Sequence, residues 1–66
     1  MITLPPRQIE LLGMLWSGLS REQAASRISR SLKTVEYHLR QAHLITKTDS
    51  DMMACKWALR RKLIKL

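Results

Sequence analysis

Two helix-start signals set close together constrain this chain more than any other feature. Ser20 followed three residues later by Gln23 is a capping-box pattern, in which each side chain satisfies a backbone N–H of the other. The helix it opens runs through Ala24, Ala25 and Ile28, and Ser29-Arg30-Ser31 then reads as a turn. Ser31 is the second signal, the N-cap of a helix that begins at Leu32. On that helix Val35, Leu39 and Ala42 recur at i, i+4 and i+7 as an inward stripe, while Lys33, Glu36, Tyr37, Arg40 and Gln41 project the other way. Helices joined by so tight a turn need a small residue where they cross, a small residue in the turn and an apolar anchor on the second helix. Ala25, Ser29 and Val35 fill those places. A plain helical hairpin in a small bundle shares this packing. The polar, basic outward face of the second helix points instead to a helix-turn-helix over about 20–45, whose second helix enters the major groove of DNA.

The flanking segments read as helices too, and strand signals are absent. A first helix opens near Pro5-Pro6, where fixed φ and missing N–H groups are tolerated, and closes at Ser17-Gly18. Ile9, Leu12, Gly13 and Trp16 share one of its faces, and Leu11, Met14 and Leu15 spread apolar surface further round. A helix so encircled packs on more than one side. Thr46 to Ser50 reads as a polar linker, with Asp49 or Ser50 capping a fourth helix over about 51–61. The expectation is one all-α, four-helix domain over residues 1–66.

A chain of 66 residues buries too little surface for a comfortable core, which favours a partner: a second copy, or a ligand as large as DNA. Twelve Lys and Arg against five acids give a net charge of +7, which suits nucleic acid or an anionic membrane. No apolar run approaches the ~20 residues of a membrane span, so no membrane partner is expected. The start, Met1 to Pro6, carries no charged region or long apolar core of a signal peptide. Cys55 alone cannot form an internal disulfide, so a reducing cytoplasm is the natural compartment. His38 and His43 stand five apart and do not share a face as a two-histidine metal site would. His38 reads as a packing and hydrogen-bonding residue. With no nucleophile set beside an oriented base and no Gly-rich phosphate loop, neither enzymatic activity nor a cofactor is expected.

Leu4-x-x-Arg7-x-x-Glu10-x-Leu12, Gly18-Leu19-Ser20 and Lys33-Thr34-Val35-x-x-His38, with Ala54, Ala58 and Leu63-Ile64 at the end, run through nearly the whole chain. With these residues it resembles the LuxR/GerE-type DNA-binding domain of bacterial transcription regulators. The chain departs from that pattern at Gln23-Ala24, at Ser29-Arg30 in the turn, and at Ile45-Thr46-Lys47-Thr48, where the family commonly has Lys-Leu-x-Val. Leu44 falls on the outward face if the third helix continues, which predicts an early end or a different seating there. A rival resemblance lies in Leu4-Pro5-Pro6-Arg7-Gln8, which is similar to region 4 of bacterial sigma factors, a promoter-binding module that ends soon after its recognition helix.

The resemblance implies a dimeric, sequence-specific regulator of transcription with double-stranded DNA as partner. It places Glu36, Tyr37 and Arg40 at the bases. Arg40 suits guanine O6 and N7, Glu36 suits cytosine N4, and Tyr37 suits a thymine methyl or a phosphate. Ser31, Lys33 and Thr34 sit in the first turn of the third helix, where exposed N–H groups attract phosphate. The fourth helix, through Met52, Cys55, Lys56 and Leu59, is expected to carry the homodimer contact. Arg60-Arg61-Lys62 either contacts phosphate or complements the negative end of that helix. The protein would act by recruiting or blocking the transcription machinery. A different class of function uses the same fold as a decoy, pairing through the fourth helix with a larger regulator and poisoning it.

Overall fold

The computed structural model describes residues 3–65, which form four helices: α1 (Pro6–Trp16), α2 (Arg21–Arg27), α3 (Leu32–Thr46) and α4 (Asp51–Arg60). There is no strand among the described residues. Each start follows from a local signal. Pro5 and Pro6 open α1, and the Pro5 carbonyl accepts from the Gln8 and Ile9 N–H groups at 3.0 and 3.1 Å. Ser20 and Gln23 make both halves of the capping box, at 3.1 and 2.8 Å. Ser31 Oγ accepts from the Thr34 N–H at 3.2 Å, and Ser50 Oγ from the Met53 N–H at 3.2 Å, so Ser50 rather than Asp49 caps α4.

The four helices also end alike. Gly18, Ser29, Lys47 and Lys62 lie in the left-handed region, with φ of 109, 56, 56 and 59°. The N–H of the residue after each one reaches back five positions: Leu19 to Met14, Arg30 to Ala25, Thr48 to His43 and Leu63 to Ala58, at 2.9–3.1 Å. This Schellman closure satisfies carbonyls that a helix end leaves orphaned and turns the chain sharply. Only the first of the four uses glycine.

The inward stripe of α3 is as expected, with Val35, Leu39 and Ala42 fully buried. They meet Ala24 and Ala25 of α2, Leu11 and Leu12 of α1, and Ala54, Cys55 and Ala58 of α4 in one core, closed from the chain's two ends by Leu4 and Ile64. The small residues of α2 let its backbone approach closely. As its encircling apolar surface implies, α1 packs on all three other helices. Its deepest line is Gln8, Leu11 and Leu12, however, while Ile9, Gly13 and Trp16 are half-buried at the side.

One boundary differs from expectation. α3 does not end early: it runs through Thr46, which extends the buried stripe. The Thr46 hydroxyl donates to the Ala42 carbonyl at 2.8 Å and pairs with Thr48 Oγ1 at 2.8 Å, so a residue that reads as linker is satisfied inside the helix. The connection is therefore 47–50. No helix among the described residues is long and apolar enough to cross a membrane.

Candidate nucleic-acid interface

α3 presents opposite its buried stripe a face that no other element covers. Lys33, Glu36, Tyr37 and Arg40 are all exposed there, Tyr37 to 60 %. The Tyr37 ring meets the half-buried His38 ring edge-on, with centroids 5.6 Å apart, which limits where the phenol can swing. At the N-terminus of α3, Ser31 Oγ lies 3.0 Å from Thr34 Oγ1 in addition to its capping bond. Those two hydroxyls are thus partly committed to each other. Lys33 between them is exposed beside the positive end of the helix dipole.

One polar cluster was not legible in the sequence. Arg21, the first residue of α2, forks onto the Asp51 carboxylate at the start of α4, with Nε to Oδ2 at 3.0 Å and Nη2 to Oδ1 at 2.9 Å. His43 Nε2 sits 2.9 Å from the same Oδ1, and Arg21 Nη1 lies 3.8 Å from Glu36 Oε2. Arg21, Glu36, Arg40 and His43 line an open cleft of 270 Å³ between them. The two charges expected to face bases therefore differ. Glu36 has a cation at its shoulder, whereas among the described residues no carboxylate lies within ion-pair distance of Arg40. Arg21 and Asp51 are thirty positions apart, so no helical spacing could have linked them. The one local hint was an acid placed in the first turn of α4, where the dipole favours it.

On α4, of the residues expected to carry the homodimer contact, Met52 and Lys56 are exposed and Leu59 is half-buried. Cys55 is not part of that surface and corrects the expectation. It is 2 % exposed, faces α1 and donates its S–H to the Leu12 carbonyl at 3.4 Å. The wheel position that made it look outward is the position that α1 covers. Burial first, and the Asp51 carboxylate second, push its thiol up to about 11. Met53, which the sequence reading passed over, is 52 % exposed. Leu15, Trp16 and Leu19 of the α1 end border a 220 Å³ cleft with Asp51, Met52 and, at its buried floor, Cys55, so that the surface around Met52 continues from α4 onto α1.

The basic run after α4 divides its work. Arg60 lies in the last turn, the Arg61 guanidinium stacks 3.8 Å from the Trp57 ring centroid, and Lys62 takes the left-handed position that ends the helix. Among the described residues, ion pairs to carboxylates engage only Arg7 and Arg21 of the twelve Lys and Arg. Most of the positive charge therefore stands free at the surface. Comparison with family models, with curated proteins and with solved structures finds no match for this chain.

Proposed function

We propose that this chain is a sequence-specific, double-stranded-DNA-binding regulator of transcription, a helix-turn-helix domain of LuxR/GerE type that reads DNA with α3 and pairs through α4. The observation that carries the reading is the two-sidedness of α3. Val35, Leu39 and Ala42 are fully buried on one side, and Lys33, Tyr37 and Arg40 are uncovered on the other. A helix held by its back, with its front basic and free, fits a major groove about 12 Å wide. The tight α2–α3 turn supports this, since α2 would lie across the backbone while α3 enters. Burial of Ala54, Ala58 and Ile64 makes α4 and the tail integral to the core, which favours this reading over a sigma-type module that stops after its recognition helix.

In this mechanism phosphate contacts from Lys33 and the α3 N-terminus supply affinity, and Arg40 and Tyr37 supply register. The family resemblance rests on the residues that carry it. The test is titration of wild type, Lys33→Ala and Arg40→Ala on a duplex selected from random sequences and on a scrambled one, at several salt concentrations. Lys33→Ala should weaken both duplexes alike and flatten the log–log salt slope by about 1 per monomer. Arg40→Ala should cost roughly 1–3 kcal/mol on the selected duplex and much less on the scrambled one. Equal losses on both duplexes for Arg40→Ala would put that side chain on phosphate instead of a base.

The exposed Met52 and Met53 on α4 favour one second reading, a decoy that pairs with a larger regulator. Firm binding of generic duplex at low salt counts against it, and absence of any binding counts for it.

A further inference from the structure

Leu44 is the most exposed large apolar residue among the described ones, at 65 %, and nothing in the fold accounts for it. Because α3 continues through Thr46, Leu44 is held on the helix and not released into a linker. At 100° per residue it lies about 20° from Tyr37, on the same uncovered stripe. Seven residues separate the two, which is about 10 Å along the axis, or the span of about three base pairs. Exposed Arg40 stands between them. The stripe is bounded by Lys33 at its start and by Lys47, fixed in the left-handed position at its end, about 20 Å apart. Phosphates line both edges of the ~12 Å major groove along its length, so a helix lying in it with a cation at each end has charge complementarity at both ends. The apolar groups then fall over the groove floor, where the thymine C5-methyl is the apolar feature.

We propose that Leu44 is a specificity residue that seats against the C5-methyl of a thymine about three base pairs from the one met by Tyr37. This rests on the DNA-binding reading. It assigns a role to a residue that the phosphate and guanine contacts leave unused. Burying one methyl against an apolar side chain is worth about a fourfold change in affinity.

The experiment replaces each thymine of a selected duplex by deoxyuridine in turn, which removes the methyl and leaves the hydrogen-bonding edge intact. Wild type and Leu44→Ala are titrated on each duplex. Leu44 is outside the core, so the variant keeps the fold, which circular dichroism checks. The expected result is about a fourfold loss for wild type at two thymines per half-site, one of which costs Leu44→Ala nothing. The proposal is overturned if the variant binds the thymine duplex as tightly as wild type, or if uridine costs both proteins equally at every position. It is also overturned if Leu44→Ala changes the protein's sedimentation with no change in the thymine-to-uridine ratio, since Leu44 is then a protein contact. Failure of wild type to bind any duplex sinks the DNA-binding reading itself, and is distinct from all three.

Discussion

Of the two glycines, Gly18 fills a left-handed position that suits it, whereas Gly13 stands where the chain does not need glycine, and three left-handed positions lack it. Gly13 lies in the interior of α1, and a Cβ built there would meet Ile64 Cγ2 at 3.6 Å, an ordinary contact. Gly13→Ala should therefore stabilise the fold by about 0.5–1 kcal/mol, the helix-interior cost of glycine. Ser29, by contrast, holds φ 56° in the α2–α3 turn, a conformation that costs an L-residue roughly 1 kcal/mol. Ser29→Gly should recover part of that, offset by a looser unfolded chain. Thermal melts of the two variants check both signs, and a destabilised Gly13→Ala would mean that Ile64 cannot give the room. Cys55 supplies a pH-dependent term. Its thiol is raised to about 11 in the folded chain against about 8.5–9 when unfolded, so its contribution is complete below pH ~9 and lost as pH rises towards 11. Stability should fall by roughly 1–2 kcal/mol over that window, and Cys55→Ala should show a shallower slope over the same range. Matching slopes in the two proteins would remove the thiol from the account.

Elements were legible where their signals are local, and the connections between them were not. Ser20, Ser31 and Ser50 each mark a helix start that the fold keeps, because an N-cap acts within one turn. The Val35, Leu39 and Ala42 stripe was equally plain, since a helix repeats its faces whatever it packs against. The end of α3 was misplaced because Thr46 looks polar, and only the folded helix shows its hydroxyl bonded to Ala42. Cys55 was misplaced because an apolar face does not say which neighbour covers it. Of the set expected to face DNA, exposure of Lys33, Glu36, Tyr37 and Arg40 follows from the stripe by subtraction, whereas the pairing of Glu36 with Arg21 depends on the α2–α3 crossing. The Arg21–Asp51–His43 cluster joins three helices through one half-buried carboxylate that also begins α4. Asp51→Asn keeps the shape and removes the charge. It should cost about 1–2 kcal/mol, more than an exposed pair, because a forked guanidinium and a helix dipole both lose their partner. The denaturation midpoint measures it, and an unchanged midpoint would show that the cluster is only a surface ornament of the three helices.

For the molecule as a whole, charge and size set association against each other. A net charge of +7 on a Cα radius of gyration of 10.7 Å makes two copies repel in low salt, while the apolar surface shared by Met52, Trp16 and Leu19 favours bringing them together. Lys56 lies on that same face of α4, so pairing across a two-fold axis brings two lysines near one another. The small apolar surface of one short helix is not expected to overcome this repulsion in free solution. Under the proposed function a DNA duplex would change the balance, because its phosphates would neutralise both copies and hold their α4 helices at high local concentration. The expectation is a monomer at micromolar concentration off DNA and a two-to-one complex on a site whose half-sites are centred about 34–36 Å apart, one helical turn. Sedimentation of the free protein and of the complex measures both states. Inserting five base pairs between the half-sites should abolish cooperative binding by rotating one copy to the far side of the duplex, and ten should largely leave the copies on one side but too far apart to touch. Met52→Asp should likewise remove cooperativity while leaving single half-site affinity within about twofold, since that side chain is exposed and its loss costs the fold little. Unchanged cooperativity in Met52→Asp would place the pairing surface on an element other than α4.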